Sequence, residues 1–372
     1  MNKVKLQGFS KFIAFLLIAV LVISVIVFAV NGNEPTDNEN NVILNDSEQT
    51  DDIESTDDQE SAPSKDTENE EESTTEDTPS KVINVMTGIP YEEGATTAFG
   101  IVIDPKKPSY GLSYADIAIE FPTENVDSRM LFYFSKAETV WKIGSISESR
   151  GYIEDVSLLL GGVLISNGND DKLSYPTLDV GLKCVDISKH ADCYYAENER
   201  YIFTNSNSLK SILDRTAYAE NENGYKNPPF IISELGSDST IEGANSIYIP
   251  YSTDNSTTLV YNNKTGKYQY IKCDEIKYDL LTGDMITYTN AFVLYANSTT
   301  YENSNASQLI VNTTAGGRGY YFSKGKYCEI NWSVDNENLV FTTLSGELLA
   351  VNPGNSYITY FKTSKSDSVL IN

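Results

Sequence analysis

Residues Phe12 to Val30, FIAFLLIAVLVISVIVFAV, run for nineteen positions without a charge, a glycine or a proline. A helix over them is about 28 Å long, close to the hydrocarbon thickness of a bilayer. Lys3, Lys5 and Lys11 precede the run with no acidic residue among them, and an acidic stretch beginning at Glu34 follows it. That asymmetry predicts a single-pass anchor through the lipid bilayer at the cell membrane, N-terminus cytoplasmic and the bulk of the chain extracellular. A cleaved secretory signal is the alternative, since Val27 and Ala29 could serve a signal peptidase; a buried soluble helix is a third. The run exceeds the roughly 7–15 residues of a signal-peptide core, which favours the uncleaved anchor. No cysteine lies near its end, so a lipidated N-terminal cysteine is excluded.

The charge of −26 is unevenly spread. Residues 31–80 hold eighteen Asp and Glu against Lys65 alone, and almost nothing apolar. Such a segment cannot bury enough surface to offset its ordering entropy, so it reads as a disordered acidic linker with a span of about 40 Å or more. The first thirty residues carry +3 and the linker −17, which leaves −12 for residues 81–372. That acidity, without clustered Lys and Arg, argues against nucleic acid as a partner and against docking on anionic headgroups.

From Lys81 the composition turns globular. Phe99–Asp104, Ile117–Phe121, Met130–Phe134 and Val163–Ser166 read as strands, and Gly111–Asp116 as a short helical turn. Tyr152, Ile153, Val156, Leu159 and Leu160 recur at helical spacing, and Asn207 is read as the cap of a second helix bearing Leu209, Ile212, Leu213 and Ala217. From about Ala244 to Phe361 the pattern becomes seven or eight Tyr-, Thr- and Val-rich strands broken by turn signals such as Asn262–Gly266 and Asn352–Asn355. The predicted organisation is a basic tail 1–11, an anchor 12–30, a linker 31–80, an α/β or α+β domain 81–238, and an all-β domain 239–372, with the boundary near Glu234–Gly243.

Cys184, Cys193, Cys273 and Cys328 make an even count, which permits disulfides in an exported chain. The simplest pairing joins Cys184 to Cys193 and Cys273 to Cys328; four buried free thiols is the other reading. His190 is the only histidine, and its spacing from Cys184 and Cys193 matches no zinc pattern. Asn167–Asp171 opens like a calcium loop but has Lys172 and Leu178 where Gly and Glu are required, so it reads as a polar turn. Gly316–Gly319 lacks the strand-then-helix context of a phosphate loop and reads as a hairpin turn. No metal or cofactor is implied.

Met86-Thr87-Gly88-Ile89-Pro90, Ile101–Asp104, Tyr110–Ile117, Ile119-Glu120, Ser128-Arg129-Met130, Ile143–Ile146 and Ser149-Arg150 occur in that order. In the β-rich half follow Leu259-Val260-Tyr261, Gly316–Phe322, Gly325-Lys326, Ile330-Asn331-Trp332 and Leu349–Gly354. Over about 85–362 the chain resembles the YerB-like envelope lipoproteins, the family called domain of unknown function 3048. The resemblance implies two domains and an extracytoplasmic place, and no reaction. The chain departs from the family pattern at Ser145 (proline), Ser147 (arginine), near Ser166 (histidine) and at Arg200-Tyr201 (His-Asn), and has no lipidated cysteine. Those departures imply a binding-only member.

Asp104, Glu120, Glu124, Arg129 and Arg150 fall near neighbouring strand ends, where α/β sheets bind ligands, and are the ligand-binding candidates. Structural ion pairing is the competing reading for all five. Glu120 and Glu124 as a carboxyl pair define the alternative function, a cell-wall glycan hydrolase with Arg129 as clamp. No residue is assigned to catalysis. The twenty-five tyrosines, many beside Asn, Thr and Ser, suit a surface contacting wall polymer or a wall-synthesis protein, though β-propensity alone also accounts for them.

Overall fold

The computed structural model describes residues 82–91, 98–124, 127–135, 140–168, 183–197, 200–215, 226–233, 241–303 and 306–372. The basic tail, the Phe12–Val30 anchor, the acidic linker, Asn169–Asp171, Ala217 and most of the 234–243 boundary lie outside them. Among the described residues no helix is long and apolar enough to cross a membrane. All of them fall within one compact unit, Thr75–Asn372, and about half are in strands against 13% in helices.

β1 (Phe99–Ile103), β2 (Ile117–Pro122) and β3 (Ser128–Phe134) are nearly continuous apolar runs, the signature of strands covered on both faces. β3 lies between the other two and is antiparallel to both. β4 (Ile143–Ile146) leads into α1 (Gly151–Leu160), after which β5 (Val163–Ser166) returns parallel to β1 and β6 (Lys183–Asp186) parallel to β5. β7 (Tyr201–Thr204) pairs with β4 and precedes α2 (Ser206–Arg215). Asn205, not Asn207, is the cap of α2: its Oδ1 accepts the Ser208 amide at 2.9 Å, so the helix opens earlier than its apolar spacing indicates.

β8 (Ser246–Pro250), β9 (Ser256–Asn262) and β10 (Lys267–Lys272) form an antiparallel meander, the centre of a second sheet that Leu370–Ile371 extends. The chain then rejoins the first sheet through β11 (Asn290–Ala296), β12 (Gly317–Ser323), β13 (Lys326–Asp335), β14 (Asn338–Thr342) and β15 (Ser356–Lys362). The main sheet runs β13-β12-β11-β15-β2-β3-β1-β4-β7. β15 lies between β11 and β2, parallel to each, so strands from both sides of position 238 share one hydrogen-bonded ladder.

Side chains alternate across this sheet. Ile117, Ile119 and Phe121 of β2 face Tyr152, Ile153 and Val156 of α1, while Ala118 belongs to the opposite layer with Ile247 and Leu259 of the second sheet. Each large apolar side chain buried this way contributes about 1.5–3 kcal/mol.

Two sequence expectations need correction. Gly316–Gly319 is the entry of β12 rather than a hairpin turn, and a Cβ at Gly317 or Gly319 would meet the Tyr295 or Val293 carbonyl of β11 at 2.5 Å. Glycine there lets two strands approach. None of the four cysteines is in a disulfide, so neither expected pairing forms. Cys184 lies on β6, which pairs with β5, and Cys328 lies on β13, between β12 and β14; burial pushes the Cys328 thiol up to about 11.

Candidate functional site

The carboxyl ends of β1 and β2 gather four of the five residues singled out from the sequence. Arg150 Nη2 lies 2.8 Å from Glu124 Oε1, and Arg150 Nη1 lies 3.3 Å from Glu148. Arg129 Nη1 stands 3.7 Å from Asp104 Oδ2, an oxygen that Lys107 also approaches to 3.7 Å. Burial alone would raise the Glu124 carboxyl, but the Arg150 hydrogen bond, a backbone hydrogen bond and the charges of Arg150 and Arg129 hold it below the ordinary value. Ser147 adjoins this edge, its amide on Val102 O and its carbonyl accepting from the Asn167 amide, and Ser166 ends β5 beside it. Serines at 147 and 166 therefore adjoin these ion pairs.

Glu120 is elsewhere. The β2 alternation turns it away from α1 into the space between the two sheets, where it is fully buried, as is Lys272 of β10 (both 0 % exposed). Glu120 Oε1 accepts from Lys272 Nζ at 2.5 Å and Ser128 Oγ at 2.6 Å. Oε2 accepts from Tyr357 OH at 2.7 Å, Thr257 Oγ1 at 2.8 Å and Tyr270 OH at 3.3 Å. The Lys272 ammonium also donates to Thr257 Oγ1 and sits 4.6 Å from the centre of the Tyr251 ring. Burial is the largest influence on the Glu120 carboxyl and would raise it; the Lys272 charge and the bonds from Lys272, Ser128 and Tyr357 outweigh it and hold the group ionised. Burial, then the Glu120 charge, pushes Tyr251, Tyr270 and Tyr357 well above 10, so these hydroxyls remain neutral donors. This chamber has no place for a ligand: both oxygens are engaged and neither ion meets solvent.

Asp279 makes a second sealed link. It accepts from the Gly111 amide at 2.8 Å, and from the Ser113 amide and hydroxyl at 2.9 and 2.6 Å, pinning the turn before β2 to a loop of the β-rich half. Beside that turn opens a cleft of about 440 Å³. Three stretches line it: Asn84–Tyr91, Ser113–Asp116 and Pro353–Asn355, joined by Lys267 and Thr289. Its floor is tied. Asp116 Oδ1 accepts Asn84 Nδ2 at 2.8 Å, and Oδ2 accepts the Ser135 amide and hydroxyl, each at 2.6 Å. The Gly354 amide donates to Thr87 O at 2.8 Å. Gly88 (φ +68°) and Gly354 (φ +139°) bring the loops together: a Cβ on the first would collide with Ile232, on the second with Thr289.

None of the residues expected to bind a ligand lies here, yet three of the stretches that carry the family resemblance line this cleft. Its signal was the pairing of Met86–Pro90 with Tyr110–Ile117 and Leu349–Gly354, glycine-marked loops from distant parts of the chain. None of Asp104, Glu120, Glu124, Arg129 or Arg150 lines this cleft, nor a second cavity of about 590 Å³ between Tyr295, Arg318, Tyr320 and Asp367.

Residues 247–358 match a family model described as the C-terminal domain of a protein of unknown function, DUF3048. Among solved structures, the crystal structure of YerB protein from Bacillus subtilis is similar with a TM-score of 0.68 at 19 % identity, covering 78 % of this chain and 100 % of that one. At that identity the likeness speaks to the fold. No curated protein matches the chain.

Proposed function

We propose, from the premise that the chain belongs to the YerB-like DUF3048 family, that it is a non-catalytic binding or scaffolding protein of the cell envelope. Phe12–Val30 holds it in the membrane with its N-terminus inside, and the acidic linker 31–80 spaces the folded part from the lipid. An α/β half over 81–238 and an all-β half over 239–372 together present the recognition surface. The partner is wall polymer or a wall-synthesis protein.

The observation that carries this reading is the state of the paired carboxylates. Glycan hydrolysis needs one protonated carboxyl and one ionised carboxylate flanking the same bond, roughly 5–10 Å apart. Glu120 is sealed against Lys272 and Glu124 is bonded to Arg150, and both are shifted down. Neither is a proton donor near neutral pH, so the hydrolase alternative lacks its acid.

Incubating the full-length protein with purified wall sacculi is expected to release no reducing sugar; release that Glu124→Gln abolishes would overturn the reading. Crosslinking in intact cells with mass spectrometry of the products is expected to recover a wall-synthesis protein or wall glycan above an anchor-only control. Protease added to intact cells is expected to digest the folded part. Digestion that requires permeabilised cells would refute the stated location.

A further inference from the structure

The geometry points to a ligand class for the cleft beside Asp116: a sugar carrying a carboxylate, its flat apolar face on the Tyr114 ring and its carboxylate on the Lys267 ammonium. The inference rests on the binding reading above and names what the surface takes.

The cleft's volume falls within the roughly 300–1,000 Å³ of small-molecule sites, and its walls are mostly neutral polar and aromatic. Most polar groups there already have partners. Asp116 is occupied by Asn84 and Ser135, Ser113 by Asp279, and Asn355 by the Thr289 amide and Thr287 O. Two groups remain. Tyr114 is 41 % exposed and has no hydrogen bond or ring contact with any described residue. The Lys267 ammonium has no ion pair among the described residues, although the chain is strongly acidic. An open aromatic face stacks on a pyranose, and the one cation of a cleft whose single carboxylate, Asp116, is already bonded to Asn84 and Ser135 selects one anionic group. A polyphosphate or nucleic acid would require several cations, and the cleft lining holds one.

The lining loops meet closely at Gly88 and Gly354, where a side chain has no room, and the Gly354 amide ties them by its bond to Thr87 O. Tyr114 follows the turn that Asp279 pins, so its backbone is held before any ligand arrives. Such preorganisation lowers the ordering cost of binding.

The test uses the full-length protein in detergent micelles, titrated by ligand-observed NMR with two disaccharides to about 10 mM. One is N-acetylglucosaminyl-N-acetylmuramic acid, which has a carboxylate; the other is di-N-acetylchitobiose, which has none. Saturable binding of the first, about tenfold tighter than the second, is expected. Lys267→Gln is expected to erase that preference, Tyr114→Ala to weaken both sugars by about tenfold, and Tyr301→Ala, on the exposed Ser298–Asn303 strand outside the cleft lining, to change neither. Equal affinity for the two sugars, no saturable binding, or unaltered binding in both cleft variants would overturn the inference. Failure here with envelope crosslinks intact leaves the scaffold reading standing, whereas loss of those crosslinks with sugar binding preserved removes the scaffold reading alone.

Discussion

The chamber around Glu120 and the cleft beside Asp116 are built alike and end opposite. Each assembles side chains from distant stretches of chain, and each centres on a buried carboxylate with several donors. Around Glu120 the bonds close on all sides, from Ser128, Thr257, Tyr270, Lys272 and Tyr357, and solvent is excluded. Around Asp116 the bonds from Asn84 and Ser135 tie the floor of an open cleft, whose lining also holds an aromatic ring and a cation. A satisfied, sealed charge organises the fold; a rigid floor with unspent groups above it can meet another molecule.

Substitutions at four positions and one titration break or sharpen that contrast. The largest effect is expected at the chamber: Glu120→Ala or Lys272→Met leaves an uncompensated buried charge and costs about 3–5 kcal/mol. That is a large part of a typical stability of about 5–15 kcal/mol, so denaturant unfolding of the full chain should show it directly. Removing both charges in Glu120→Gln/Lys272→Met is expected to cost much less than either charge-stranding change, because no ion is left alone. A single substitution costing under about 1 kcal/mol would mean that the pair organises nothing.

Next comes Gly354→Ala, where a side chain meets both an unfavourable φ and Thr289. About 1–3 kcal/mol of stability is expected to be lost, along with any cleft ligand. Acid should act on the chamber in a defined direction. The folded Glu120 carboxyl lies below its unfolded value of about 4.3, so its contribution is fully present above that pH. It is lost as pH falls through the folded value. Stability measured against pH should drop below about pH 4, and Glu120→Gln should flatten that drop. The smallest effect belongs to the cleft: Tyr114→Ala is expected to shift unfolding by no more than about 0.5 kcal/mol. A larger shift would make Tyr114 a packing residue and erase the contrast.

Parts of this were legible in advance. Phe99–Ile103, Ile117–Phe121 and Met130–Phe134 announce covered strands because they are apolar on both alternations, and α1 shows its helical spacing. Glu120 breaks the apolar run of β2 at an inward position, which marks a carboxylate in need of a partner. Its partner was harder to find, though not without a trace. In Lys267–Lys272 the period of two puts Lys272 on the same face as Tyr268 and Tyr270, a lysine in phase with a buried aromatic stripe. That 120 and 272 meet depends on how two sheets stack, which no local pattern encodes.

Position 238 shows the same limit. Composition changes there from mixed to β-rich, and a boundary follows naturally from that change. The main sheet crosses it, because β15 pairs with β2. Strand pairing between segments so far apart leaves no periodic mark in either.

The seat of β15 has a consequence for synthesis. Tyr357 bonds Glu120 across 237 positions, and until that strand arrives β2 has an unpaired flank and Glu120 lacks the hydroxyl of Tyr357. A chain emerging N-terminus first must therefore carry an open, aggregation-prone slot through most of its making, and a product halted before Ser356 is marked for proteolysis by that vacancy.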